Sequence, residues 1–292
     1  MPLSPTALTA PAQSIDLLLD ARWTMAYAAG VPDDRPELYA TDDTRRPGGV
    51  VVHPLLPVAA EWQLITSMRA TGTGLDPGET RRGIHVGHDL VLAAPIAAGT
   101  QVHLSARTVA VGRRRAGATQ TVEFTATSAG SVLWRTRMTS LYLGVELEGD
   151  PVTDSTPWPD APAATPAGAA DVPAVASETS SVRTVDAHVY SECARIWNPI
   201  HTDVVAARLA GLRSPILHGT ATLARSVSIA SRLTGVPLDA IRRVTASFSG
   251  QVELGSSFDV RVLGVDRSTV WFDAVLPDGT MALRDASFTF AT

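Results

Sequence analysis

Tyr190-Ser191-Glu192-Cys193-Ala194-Arg195-Ile196-Trp197-Asn198-Pro199-Ile200-His201-Thr202-Asp203 is the stretch that decides how this chain is read. Asn198 is the only asparagine in the sequence. Asn-Pro is a turn signal, and the proline pre-sets the backbone just before His201. His201 is then expected to enter a short helix with Asp203 in its first turn, where a carboxylate suits the helix dipole. An imidazole on a stiff loop beside an amide is a candidate general base, because its ordinary pKa lies near neutrality.

Working outward, Pro215-Ile216-Leu217-His218-Gly219 leads into a helical pattern. Leu223, Val227 and Ala230 form the stripe, filled by Ile229 and Leu233, and predict a helix over 219–233. Alternating runs then predict strands over 244–253, 258–265, 270–276 and 281–290, with a hairpin at Pro277-Asp278-Gly279. The same order occurs upstream. A helix over 56–69 follows His53-Pro54, and strands follow over 102–111, 119–128 and 132–143, punctuated by Gly112, Gly117 and Gly130. Between the two lies 148–179, with Pro151, Pro157, Pro159, Pro162, Pro166 and Pro173 among Ala, Asp and Ser, which reads as an exposed linker. The chain is therefore read as an internal duplication, an N-terminal unit over 15–147 and a C-terminal unit over 180–292. Each is a helix wrapped by an antiparallel sheet, and the two sheets are expected to pair edge to edge.

The motif resembles that of the MaoC-like family of hotdog-fold hydratases and dehydratases, which includes the (R)-specific enoyl-CoA hydratases. Tyr190, Asn198, Pro199, Ile200, His201 and Ala206 match the family pattern, as does the segment from Pro215 to Gly219. The resemblance extends to the layout of two hotdogs and implies an α+β double hotdog whose N-terminal unit is degenerate. It implies a lyase, a dehydratase or hydratase acting on a 3-hydroxyacyl or enoyl thioester held by CoA or an acyl carrier protein. In that picture His201 is the base, Gly219 supplies a backbone oxyanion hole, and Asn198 belongs to the catalytic set. Tyr190, Glu192, Arg195, Ile196, Trp197 and His218 fall around the substrate. One departure stands out. The family's catalytic Asp lies two residues before the Asn, where this chain has Ile196, and the preceding Ser-Gly pair is Ala194-Arg195. The nearest carboxylates are Glu192 and Asp203 in sequence, and Glu61 from the first helix. The loss of the Asp leaves two alternatives beside the hydro-lyase: a natural-product cyclase, isomerase or eliminase using the same His, and a non-catalytic subunit of a heteromeric hydratase.

Composition bounds the rest. The 292 residues are 45% hydrophobic and 18% charged, with a net charge of −5, which fits a globular chain and gives no basic surplus for nucleic acid. No apolar run approaches the ~20 residues that span a bilayer, so no membrane partner is expected. Met1 to Ser14 has no basic n-region, and Cys193 is the only cysteine, so a cytoplasmic setting is expected. All 24 basic residues are arginine, which removes lysine Schiff-base chemistry. No cofactor and no metal are called for: His85 and His88 have metal-like spacing but no carboxylate partner. The expected partners are the acyl thioester and a second copy of the chain in a homodimer. Among the remaining candidates, His53 reads as structural, His218 as a hydrogen-bonding or packing residue, Cys193 as a small packing residue, and Arg113-Arg114-Arg115 as a solvated turn. Arg195 reads equally as surface charge or substrate contact.

Overall fold

The computed structural model describes residues 2–40, 49–71, 74–160 and 173–291. In chain order the elements of the N-terminal unit are β1 (Gln13–Leu19), α1 (Ala21–Gly30), α2 (Leu56–Thr71), α3 (Pro77–Arg81), β2 (Gly83–Leu92), β3 (Thr100–Arg114), β4 (Gly117–Ser128) and β5 (Ser131–Leu143). There follow β6 (Val152–Thr153), β7 (Ala176–Ser181), α4 (Asp186–Ala194), α5 (Val204–Leu209), α6 (Gly219–Thr234), β8 (Ile241–Phe248), β9 (Ser257–Val265), β10 (Thr269–Val275) and β11 (Met281–Phe290).

The strands join one sheet in the order β1-β3-β4-β5-β2-β8-β11-β10-β9-β7, with β6 added to β3. The expected edge-to-edge pairing is the seam between β2 and β8, where Gly87–Val91 runs antiparallel to Arg243–Ser247. Each half of the sheet curls round its own helix, α2 against β1 and β3, α6 against β7, β9, β10 and β11. This is an α+β double hotdog. Among the described residues no helix is long and apolar enough to cross a membrane.

The central helix α6 is buried on every side from Ala221 to Ser231 rather than along one stripe. Its buried polar side chains find partners, although Arg225 Nε is left without one among the described residues. Ser226 bonds the Thr222 carbonyl at 2.8 Å, and Ser231 bonds the Val236 carbonyl at 2.6 Å. Arg225 pairs with Asp186 at 2.8 Å, and Ser228 meets His53 of the other unit at 3.0 Å. Two helices not anticipated from the sequence, α1 and α4, pack on each other across the units. They approach so closely at Gly30 that a Cβ there would stand 2.8 Å from the Cys193 Cβ. Cys193 is thus half-buried at a helix contact, where burial raises its thiol pKa.

Three expectations are corrected. The strand expected to reach Glu253 ends at Phe248, because 249–253 turns away to run beside the segment before α6, with Leu217 N–H donating to the Val252 carbonyl at 2.9 Å. His201 closes a short 3-10 turn over Pro199–His201 instead of entering a helix. Asp203 is the N-cap of α5, accepting from the Ala206 N–H at 2.8 Å. The segment read as a linker, 148–179, is structured at both ends, by β6 and by β7, while 161–172 lies outside the described residues. Near its start, Trp158 lies under the guanidinium groups of Arg135 (4.8 Å) and Arg137 (4.4 Å) and donates to Asp89 at 2.7 Å. Asp89 in turn pairs with Arg243 across the seam.

Candidate active site

The site grows from two segments that meet at the start of α6. The first is the motif turn. Helix α4 ends at Arg195, whose φ of 58° is left-handed. A Cβ in this conformation costs roughly 1–2 kcal/mol. Arg195 stays in place with its guanidinium 4.3 Å over the Trp23 ring, so it serves as a clamp between α4 and α1. Asn198 then caps the 3-10 turn, its Oδ1 accepting from Ile200 N–H at 3.5 Å, and the turn delivers His201. The second segment is 216–219, held by the redirected chain at Val252 and Glu253.

His201 Nδ1 lies 2.9 Å from the Ile216 carbonyl. A carbonyl only accepts, so Nδ1 carries the proton and Nε2 keeps the lone pair. The ring is 8% exposed, and burial pushes its pKa down to about 4, with the Ile216 carbonyl opposing. His201 is therefore neutral at pH 7, with Nε2 unprotonated. His218 stacks on it, centroids 3.7 Å apart and planes at 25°. His218 Nε2 sits 3.2 Å from Ser191 Oγ and 3.4 Å from the Ile196 carbonyl, while its buried Nδ1 has no partner among the described residues. Burial and the neighbouring His201 hold the His218 pKa well below 6.5. Two stacked imidazoles repel a second proton, so at most one of them takes up charge at a time.

Behind His218 lies Tyr190, ring centroids 4.9 Å apart. Tyr190 is fully buried, bonding Thr220 Oγ1 at 3.3 Å and lying 3.4 Å from Tyr27 OH. It backs the site rather than lining it. Gly219 opens α6, is exposed, and follows an N-cap with no side-chain hydrogen bond. The first N–H groups of a helix lack intrahelical partners, so this end offers donors and the positive end of a dipole to an oxygen anion. In the other unit His53 Nδ1 accepts from Leu55 N–H at 3.1 Å, just before α2 begins. The Phe248 ring stands 3.1 Å from where a Gly219 Cβ would be, which explains the glycine.

No candidate replacement for the missing Asp stands beside His201. Ile196 is 4% exposed and belongs to the main core. Glu192 is exposed on α4, and Asp203 is occupied as a cap. Glu61 is buried in the N-terminal unit, accepting from Thr136 at 2.5 Å and Trp134 at 3.0 Å, and burial pushes its pKa up to about 8. Trp197 is 58% exposed beside the turn. Among the described residues no three His, Cys, Asp or Glu side chains gather as metal donors.

One pairing escaped the sequence reading. Tyr27 and Tyr190 are 163 residues apart. The same offset relates Pro36 to Pro199, and both open short 3-10 turns. It sets Asp33 opposite Ile196 and Leu38 opposite His201. The carboxylate missing from one motif turn is present in the other, where His is missing. Asp33 is not poised for chemistry: Arg35 pairs with it and also bonds Ser231 at 2.9 Å. Burial opposes its charge, yet hydrogen bonds from Arg35 and Ser228 bring the pKa down to about 2. Aligning the two halves on their tyrosines would have shown it.

Residues 168–278 match the family model described as MaoC like domain. Among solved structures, a MaoC-like dehydratase from Phytophthora capsici is similar at a TM-score of 0.80 with 15% identity, covering 98% of this chain and 98% of that one. HtdX of Mycobacterium tuberculosis is similar at 0.71 with 18% identity, over 95% and 98% of the two chains. A further protein of that organism, described as having a double hotdog fold, is similar at 0.59 with 16% identity, over 96% and 95%. At these identities the likeness is one of fold. No curated protein sequence matches the chain.

Proposed function

We propose that this chain, a double hotdog whose residues 168–278 match the MaoC like domain, is a lyase that adds water to, or removes it from, the Cα–Cβ bond of an acyl thioester carried by CoA or an acyl carrier protein. The observation that carries the reading is the pairing of a neutral, tautomer-fixed His201 with the uncapped start of α6 at Gly219. The thioester carbonyl accepts from the α6 N-terminus, and His201 Nε2 removes the α-proton. The enolate charge collects on the carbonyl oxygen, where preformed donors are worth most. The resulting imidazolium then gives its proton to the departing β-hydroxyl, so one residue serves as base and acid in turn. Asn198 shapes the turn, and His218 buttresses the ring.

A second reading has its own support. The apolar Ile196 leaves His201 without a carboxylate to orient water, which suits isomerisation or ring closure through the same enolate. The two are separated by incubating crotonyl-CoA and 3-hydroxyacyl-CoA substrates in D2O. Water gain or loss supports the lyase, and α-deuteration or double-bond migration without it supports the second reading. His201→Ala should lower kcat by roughly 10²–10⁴-fold in a folded protein. Unchanged turnover in that variant would remove His201 from both mechanisms.

A further inference from the structure

We propose that His88 recognises a hydroxyl or keto group carried by the acyl chain of the substrate, beyond the reacting carbons. The proposal rests on the reading of Gly219 and His201 as the thioester site, and deepens it by naming a substrate class.

His88 is 4% exposed, and neither ring nitrogen has a hydrogen-bond partner among the described residues. A buried polar group left unpaired costs on the order of 1–3 kcal/mol, so a doubly unpaired imidazole is a feature in need of an occupant. Its location supplies one. His88 lies on β2 at the seam, directly opposite Ala246 of β8 and Met138 of β5. On one side a run of ring contacts leads to the thioester site. His88 lies 5.5 Å from the His85 ring, His85 lies 4.5 Å from Phe248, and Phe248 abuts Gly219. On the other side Met138 lines a small cavity in the N-terminal unit, together with Ile65, Met68, Phe124, Gln120 and Tyr142.

An acyl chain held by its carbonyl at Gly219 and drawn over Phe248 toward that cavity passes His88 at the seam between the units. A neutral imidazole presents one donor and one acceptor, which matches a hydroxyl or a ketone oxygen. A plain alkyl chain would leave both nitrogens unpaired, so the site selects against it. Polar groups built into a pocket discriminate far better than apolar walls do.

The test measures Kd for saturated, unreactive thioesters in pairs: hexanoyl-CoA against its ω-hydroxy counterpart, and octanoyl-CoA against its own. For at least one pair the wild-type chain should bind the hydroxylated member about tenfold or more tightly. His88→Leu should bring that ratio to near 1, and His88→Gln, which keeps a donor and an acceptor, should retain part of it. Ratios near 1 in the wild type at both lengths, or a ratio untouched by His88→Leu, would overturn the proposal and leave His88 holding a buried water. If His88→Leu does not fold, the wild-type ratio and His88→Gln decide. The ratio is read without turnover. Discrimination with no turnover of any enoyl thioester would sink the lyase reading alone, and turnover without discrimination would sink the role of His88 alone.

Discussion

Lowering the pH from 7.5 to 5.5 should destabilise this protein by about 3 kcal/mol, a figure that follows from its buried histidines. Burial brings His53 to about 3, His88 to about 4 and His201 to about 4, and holds His218 well below 6.5. In the unfolded chain each returns to an ordinary value near 6.5. Below that value the unfolded state binds protons that the folded state refuses, so folding stability is present above it and is lost as the pH falls. For four histidines the loss between pH 7.5 and 5.5 is about 5 kcal/mol, from about 1.4 kcal/mol per proton and pH unit. Glu61 works the other way. Its folded pKa of about 8 lies above the ordinary 4.5, so across this window the folded state holds a proton that the unfolded state has released, and the fall in pH recovers about 2 kcal/mol. The net loss is a large share of the 5–15 kcal/mol typical of a folded domain, roughly. Urea unfolding at pH 7.5, 6.5 and 5.5 should show the midpoint falling by about 1 M over the range. His88→Leu should flatten that fall by the share of one proton. A midpoint that is flat or rises toward acid pH would refute the assignment of neutral, buried imidazoles, and with it the basic form of His201.

Gly219→Ala should leave stability within about 1 kcal/mol by thermal denaturation, but should lower kcat/KM roughly 10²-fold, because its Cβ would crowd Phe248 and the donors at the start of α6. Ile196→Asp should lower Tm, since it puts a carboxylate into an apolar site, while raising hydration of crotonyl-CoA relative to the native reaction; a fall in hydration would show that the family Asp has no place here. Gly30→Ala should destabilise by about 1–3 kcal/mol by driving α1 from α4, and Cys193→Gly in the same chain should restore most of the loss in a chemical-denaturation cycle.

The motif around Asn198 and His201, the helix starts and most strands could be read locally, because turn chemistry and periodicity are local signals. The hairpin at 277–279 forms as its residues dictate, with Gly279 at φ 82° and Asp278 accepting from Thr280 N–H at 2.9 Å. Helix α4 has little local signal of its own, because Asp186–Ala194 runs straight into the motif turn with no side-chain cap at its start. The stacking of His201 on His218 depends on the chain at 249–253 leaving the sheet early to brace Leu217, a tertiary event with no local mark. The unpaired state of His88 is likewise a property of the seam, where β2 meets β8, and not of its own neighbours in sequence.

The two quasi-equivalent motif turns carry a consequence for stoichiometry. Leu38 stands where an imidazole would be needed, and Arg35 neutralises Asp33, so the N-terminal turn offers neither a free base nor a free acid to an acyl group. A symmetric pair of hotdogs would load two acyl groups, whereas this chain should saturate at one. Titration with a tight thioester should therefore plateau at a single equivalent per chain, in a monomer or in a homodimer alike.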